Sequence, residues 1–261
     1  VSLVSIVSGP VTEVASNILE WQKGLSSLDR ICEVIQLEGA DKYGVEDLTS
    51  RKLCKIEPAS LAISNLSFSY KSNQPFVLSK LDERLTEGQS LGITGKVGTG
   101  KSTLIHLLAG IQKTAAGNVF INGSDITTLT RSEITSVVSL VSQVPFLFAG
   151  SVRENLCLGF EYSDETLWEI LEGVDLKRDF ERFDSGLETQ IGEWGISLSG
   201  GQKQRLALAR NLLRPKKIML FDDCLSAVDT KTEKLIKNTI KKIAKNSILI
   251  WVAHRESTVK D

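Results

Sequence analysis

Eight consecutive residues, Gly95-Lys96-Val97-Gly98-Thr99-Gly100-Lys101-Ser102, constrain this chain more than any other feature. Two glycines enclose four residues and are followed by Lys and Ser, the pattern of a loop that wraps phosphate. Ser90 to Thr94 before the loop reads as a short buried strand, and Thr103 to Ile111 after it as a helix. That strand–loop–helix setting is the one in which such a loop works. The glycines let successive backbone N–H groups turn inward onto phosphate oxygens, and the helix N-terminus adds partial positive charge. Lys101 can reach the outer phosphates, and the Ser102 hydroxyl can ligate Mg²⁺. The plainer alternative is a glycine-rich strand-to-helix turn without a ligand. The complete Gly-Lys-Ser spacing argues against it.

A second segment narrows the chemistry. Leu198-Ser199-Gly200-Gly201-Gln202 opens the run Lys203 to Arg214, whose apolar residues Leu206, Ala209 and Leu213 fall on one helical stripe. Ser199 and Gln202 also have the spacing of a capping box. A Gly-Gly pair beside a capping Ser leaves backbone N–H groups able to meet an anion. Further on, Lys217-Ile218-Met219-Leu220-Phe221-Asp222-Asp223 reads as an apolar strand ending in two carboxylates. A strand-end carboxylate beside a phosphate loop is well placed to hold Mg²⁺, and Asp222 fits that role. Ser247 to Val252 is another buried-strand run with His254 just past it.

Downstream of a phosphate loop, the Leu-Ser-Gly-Gly-Gln segment resembles the signature of ABC-type ATPases. From Leu61 to the C-terminus the chain resembles the nucleotide-binding domain of ABC transporters. The resemblance implies an α/β P-loop NTPase core with a helical signature subdomain and an antiparallel β lead-in, preceded by a long N-terminal helix. It implies ATP as ligand, held by Gly95, Lys96, Val97, Gly98, Thr99, Gly100, Lys101, Ser102 and Thr103. Tyr70, at the end of the strand-like run Leu61 to Tyr70, matches the aromatic that stacks on adenine. Gln143, after the strand Val137 to Val141, matches the glutamine that serves metal and water. Mg²⁺ would then be held by Ser102, Gln143 and Asp222. Asp223 stands at the general-base position, and His254 matches the histidine that contacts the γ-phosphate. Lys101, Gln143, Asp223 and His254 form the implied catalytic set. Ser226-Ala227-Val228-Asp229 resembles the family's D-loop, so Asp229 joins Ser199, Gly200, Gly201 and Gln202 as residues facing nucleotide across a domain interface.

Two segments resemble those of the exporter subclass. Val144-Pro145-Phe146-Leu147-Phe148-Ala149-Gly150-Ser151-Val152-Arg153-Glu154-Asn155-Leu156 looks like the exporter form of the segment after Gln143. Gln190-Ile191-Gly192-Glu193-Trp194-Gly195 resembles the exporter loop before the signature, with Trp194 where relatives carry a basic or polar residue. The family resemblance places the domain on the cytoplasmic face of a membrane. Its implied partners are a membrane-spanning domain of the same chain and a second nucleotide-binding domain, in a heterodimer, with a homodimer as the alternative.

The general-base position carries the sharpest departure. Asp223 stands where most active relatives have Glu, and Asp is one methylene shorter. A base must come within about 2.6–3.2 Å of the proton it removes, and about an ångström of lost reach costs on the order of a hundredfold. The string Phe221 to Glu233 resembles the degenerate half of heterodimeric multidrug exporters. The chain's own site would then bind ATP and turn it over slowly, while its signature would complete the competent site of a partner. A soluble ABC ATPase and a regulatory nucleotide-binding module with little hydrolysis are the alternatives.

Composition excludes some classes. Lys and Arg number 31 against 32 Asp and Glu, a net charge of -1, which gives no electrostatic case for nucleic acid as a partner. Lys241 and Lys242 read as part of a solvated helix face. Cys32, Cys54, Cys157 and Cys224 are scattered without a Cys-x-x-Cys pair, as reduced thiols and not as a zinc site. The single methionine is Met219, so residue 1 is not a translation start and the chain is expected to be part of a longer protein, truncated near the C-terminal edge of the fold.

Residues 1–60 form a separate piece. Val11, Ile18, Leu25 and Cys32 repeat every seven residues, as do Val14, Trp21, Leu28 and Ile35. That spacing predicts one helix from Pro10 to Leu37, about 40 Å long, with a packing seam. Val1 to Leu19 is too polar to span a membrane alone. The family resemblance makes residues 1–38 the cytosolic end of a last transmembrane helix, 39–60 a linker and 61–261 the nucleotide-binding domain.

Overall fold

The computed structural model describes residues 13, 17–18, 20–32, 59–71, 74–192, 198–226 and 228–253. The chain divides into two compact units, residues 1–50 and 51–261. In the first unit residues 20–32 form helix α1. Trp21, Leu25, Leu28 and Ile31 follow one another at spacings of four and three and lie on one stripe, exposed along its length. The helix expected over 10–37 is described here and at residues 13, 17 and 18; Val11, Val14, Ile35 and the linker 39–58 lie outside the described residues. Among the described residues no helix is long and apolar enough to cross a membrane.

The second unit contains two main sheets. Strands β1 (Ser60–Phe68), β2 (Leu78–Thr86), β4 (Val119–Ile121) and β5 (Ser124–Asp125) form an antiparallel sheet in the order β2-β1-β4-β5. Strands β3 (Ser90–Thr94), β6 (Val138–Val141), β9 (Ile218–Asp222) and β10 (Ile248–Ala253) form a parallel sheet in the order β3-β10-β9-β6. A short ribbon pairs β7 (Gly150–Ser151) with β8 (Gln190–Ile191).

Strands β9 and β10 are almost continuously apolar because both faces of the parallel sheet are covered. Residues on alternate sides enter different cores. Ile218, Leu220, Ile248, Ile250 and Val252 pack with Leu104, Ile105, Leu107 and Leu108 of helix α2 (Lys101–Leu108) and with the antiparallel sheet. Met219, Phe221, Leu249 and Trp251 face a second core, where the Phe221 and Trp251 rings stack with centroids 4.1 Å apart. That core is built with helices α4 (Val152–Cys157), α5 (Asp164–Gly173), α6 (Lys177–Glu181), α7 (Gly200–Leu212) and α8 (Thr230–Ile243).

Strand register gathers the motifs. Thr94 of β3 pairs with Ala253 of β10, Val252 with Asp222 of β9, and Phe221 with Val141 of β6. The C-terminal ends of four parallel strands therefore share one edge. The phosphate loop, Asp222, Asp223 and the residues leading to Gln143 all leave from it, where open α/β sheets place their ligands.

Several boundaries differ from the sequence expectation. Helices α2 and α7 begin at Lys101 and Gly200, two and three residues earlier than expected. A helix's first turn needs no intrahelical N–H partner, so Gly200 and Gly201 do not delay α7, while in α2 Lys101 and Ser102 follow the Gly100 cap directly into the helix. Val137 closes helix α3 (Arg131–Val137), and β6 starts one residue later. Tyr70 lies beyond β1, which ends at Phe68.

Candidate nucleotide site

The loop between β3 and α2 is shaped by its glycines. Gly98 and Gly100 have φ of 84° and 88°, a region that L side chains avoid. At Gly100 a Cβ would also sit 2.8 Å from Val77 Cγ1 and 3.1 Å from Val77 O, so neither conformation nor space admits a side chain. Lys101 is buried, and its Nζ donates to Gly95 O and Lys96 O, each at 2.8 Å. The Thr99 hydroxyl donates to Lys96 O at 2.9 Å. The ammonium is thus held inside its own loop, while Val97 at the tip is 85% exposed.

Ser102 and Asp222 meet across the sheet edge. The Ser102 hydroxyl donates to Asp222 Oδ1 at 3.2 Å, and Asp222 is buried. A hydroxyl beside a carboxylate is an oxygen donor set suited to a hard cation that keeps waters and phosphate oxygens as its other ligands. Among the described residues there is no cluster of three or more His, Cys, Asp or Glu able to hold a metal.

Next to them stands Asp223, buried and left-handed at φ 46°, a region Asp tolerates better than most residues. Its N–H donates to Val252 O at 2.9 Å, and the Ser226 hydroxyl donates to Asp223 O at 2.9 Å. Gln143 Nε2 donates to Asp223 Oδ2 at 3.3 Å, bringing two of the expected catalytic residues together. His254 lies outside the described residues, as do Glu193, Trp194, Gly195 and Ala227.

Tyr70 comes to the loop from the antiparallel sheet. Its hydroxyl and that of Thr103 lie 2.8 Å apart, and Phe68 meets its ring edge-on at 5.1 Å. The ring is more than half exposed, so one side chain is both anchored at its tip and open on its face.

At the signature, Ser199 caps α7 through a complete capping box. Its Oγ accepts from Gln202 N at 3.3 Å, and its own N–H donates to Gln202 Oε1 at 3.0 Å. Gln202 is thereby occupied within its own turn. The amides of Gly200 and Gly201 remain as first-turn donors without an intrahelical acceptor, and a Cβ at Gly200 would meet nothing within 4 Å. Asp229 caps α8, accepting from Lys231 N at 3.0 Å and Thr232 N at 3.1 Å. The Thr232 amide, then its hydroxyl, hold the Asp229 carboxyl below its ordinary range.

Three residues inside the quoted segments have supporting roles that the sequence patterns do not assign. Asn155, buried, accepts from Phe148 N and donates to Phe148 O, both at 2.9 Å, and so fixes the segment after Gln143. Arg205 of α7 reaches Asp175 and Asp179, tying the signature helix to the α5–α6 turn. Gln204 Nε2 donates to Gln143 O at 3.1 Å. Each is a polar residue inside an otherwise apolar helical stripe, which was the only signal available.

A glycine cradle with an enclosed lysine, at the C-terminal edge of a parallel sheet and opposite a buried strand-end carboxylate, defines a P-loop nucleotide-binding protein. The sequence profile of the ABC transporter family matches residues 78–226, and the chain belongs to that family. It is 33% identical over 260 residues to a putative export ATP-binding/permease protein of Rickettsia conorii, covering 99% of this chain and 44% of that protein. It is 38% identical over 255 residues to a probable microcin-H47 secretion/processing ATP-binding protein of Escherichia coli, covering 97% of this chain and 36% of that protein. Among solved structures it is similar to a bacterial Atm1-family ABC exporter with ATP bound, with TM-score 0.73 and 32% identity over 78% of this chain and 36% of that one. The chain thus spans less than half the length of these relatives.

Proposed function

We propose that this chain is the ATP-hydrolysing motor of an ABC exporter, acting on the cytoplasmic face of a membrane. The observation that carries the reading is the convergence at one sheet edge of the Lys101 loop, the Ser102–Asp222 pair and the Gln143–Asp223 pair. Loop amides and Lys101 would hold the outer phosphates of ATP, and the exposed face of Tyr70 would stack on adenine. Ser102, Asp222 and Gln143 would hold Mg²⁺, which when bound neutralises charge developing on the phosphate oxygens. Asp223, oriented by Gln143, accepts the proton of the attacking water, with His254 contributing at the γ-phosphate.

Residues 1–38 would be the cytosolic end of a transmembrane helix, 39–60 a linker and 61–261 the nucleotide-binding domain. Ser199, the Gly200 and Gly201 amides, Gln202 and Asp229 would face ATP held by a second nucleotide-binding domain, in a heterodimer or, alternatively, a homodimer. The short reach of Asp223 makes this chain's own site the slower one. The same residue favours a second reading, a regulatory nucleotide-binding module with little hydrolysis.

Calorimetry with Mg·ATP tests the site. Lys101→Ala should weaken binding by about a hundredfold or more, since it removes the cation from the outer phosphates. Unchanged affinity would refute the assignment.

A further inference from the structure

Gln204 lies one turn after Gly200 on α7, so its position is fixed by the signature helix. It is buried, with only 8% of its surface exposed. Its Nε2 donates to Gln143 O at 3.1 Å, and Gln143 in turn donates through Nε2 to Asp223 Oδ2 at 3.3 Å. The orientation of the Gln204 amide is dictated by its acceptor: turned over, it would set oxygen against oxygen. The consequence is that Gln204 Oε1 is buried and meets no hydrogen-bond donor among the described residues.

A buried acceptor without a donor is unfavourable. An apolar side chain of similar size would avoid that cost, and Gln143, which is exposed, could turn its carbonyl to water. Fold stability alone therefore does not account for a glutamine here. What the glutamine provides is a fixed distance between the signature helix and the loop that aims Gln143 at Asp223. We infer that Gln204 is a positioning residue for hydrolysis: it holds the Gln143 loop against the signature helix and, through Gln143, sets the Asp223 carboxylate. The inference rests on the ATPase reading of this site.

The line also has a direction. The Gly200 and Gly201 amides stand at the start of α7, and Gln204 stands on the same helix one turn later. A shift of α7 on engagement of an anion at its N-terminus would move the Gln143 carbonyl with it. Gln204 therefore links the signature helix to the base of this chain's own site through two hydrogen bonds.

The test compares Gln204→Leu, and Gln204→Met where the branched side chain does not fold, in the full-length membrane protein. ATP turnover at this chain's own site, measured with the partner domain's site inactivated, should fall about tenfold or more, as expected for a misplaced catalytic group, while KM for ATP stays within about twofold. The melting temperature should hold or rise, because the orphaned acceptor is gone. Amide exchange over residues 142–148 should accelerate. In a Gln143→Ala background the same substitution should change turnover little, since its route to Asp223 is already cut. Equal fractional losses in both backgrounds, or unchanged turnover with unchanged exchange, would overturn the proposal. If the unsubstituted protein fails to hydrolyse ATP, the ATPase reading fails by itself; unchanged exchange would then overturn the anchoring as well, and accelerated exchange would uphold it.

Discussion

Ser102 Oγ and Asp222 Oδ1 lie 3.2 Å apart although 120 residues separate them in the chain. One belongs to the first turn of α2 and the other to the last residue of β9. Their meeting turns two strand-end motifs into one oxygen donor set. Ser102→Ala removes the hydroxyl and leaves the carboxylate. ATP affinity measured in EDTA should then be unchanged, while the strengthening produced by Mg²⁺ should drop by about tenfold, roughly the loss of one good ligand contact. An equal loss with and without Mg²⁺ would place Ser102 on phosphate and not on the metal.

Asp223→Glu probes reach. The added methylene brings the carboxylate toward the water that residue 223 is proposed to deprotonate, so turnover at this site should rise about tenfold or more. Stability should move the other way. Position 223 is left-handed at φ 46°, where Glu is less at ease than Asp, and the cost should be about 1 kcal/mol. Single-site turnover with an inactivated partner domain, read beside a thermal melt, separates the two effects. Flat turnover would mean that something other than reach limits this site.

The phosphate loop, the strand ending at Asp222 and the capped signature helix were legible in the sequence because each is a local pattern. Gly100-Lys101-Ser102 needs only its neighbours, and the capping box of Ser199 with Gln202 spans one helical turn. What the sequence could not supply are pairings that depend on strand order. Gln143 meets Asp223 across 80 residues, and Tyr70 meets Thr103 across 33 and across two sheets. The first follows from the register that brings Val141, Asp222, Ala253 and Thr94 to one edge, the second from where the antiparallel sheet ends beside α2, and no local periodicity encodes either. The start of α7 lies earlier than its sequence suggests for a related reason: Gly200 and Gly201 lower intrinsic helix propensity, while the Ser199 cap and the surrounding core decide the boundary.

Asp229 gives the fold a measurable acid dependence. The Thr232 amide, its hydroxyl and the Lys231 amide hold the folded-state carboxyl below its ordinary value. A group depressed in the folded state stabilises above its unfolded pKa of about 3.9 and loses that contribution as pH falls through the lower folded value. Asn caps a helix about as well as Asp but does not titrate. The melting-temperature difference between the unsubstituted protein and Asp229→Asn should therefore be constant above about pH 5 and shrink as pH falls from there toward about 2. A difference that persists unchanged across this interval would show that the Asp229 charge plays no part in capping α8.

The last prediction concerns the signature turn. Gly200 has ordinary helical backbone geometry, and a Cβ there would meet nothing within 4 Å, so Gly200→Asp is accommodated within this chain. A carboxylate in a helix's first turn is favourable for the helix itself, so the melting temperature should hold. Its effect should instead fall across the interface. The new carboxylate occupies the donors that would receive the phosphate of a partner's ATP and places a like charge beside it. At about 4 Å and an effective dielectric of about 20, that repulsion is on the order of 4 kcal/mol, enough for roughly a thousandfold loss of turnover. Asp223→Asn removes the proposed base of this chain's own site only. In the full-length assembly Gly200→Asp should abolish most ATP turnover, whereas Asp223→Asn should leave most of it, because the proposed function puts the faster site on the partner, completed by this chain's signature. Equal losses in the two variants would indicate two equivalent sites, the behaviour of a homodimer, and would remove the distinction between a slow site and a fast one.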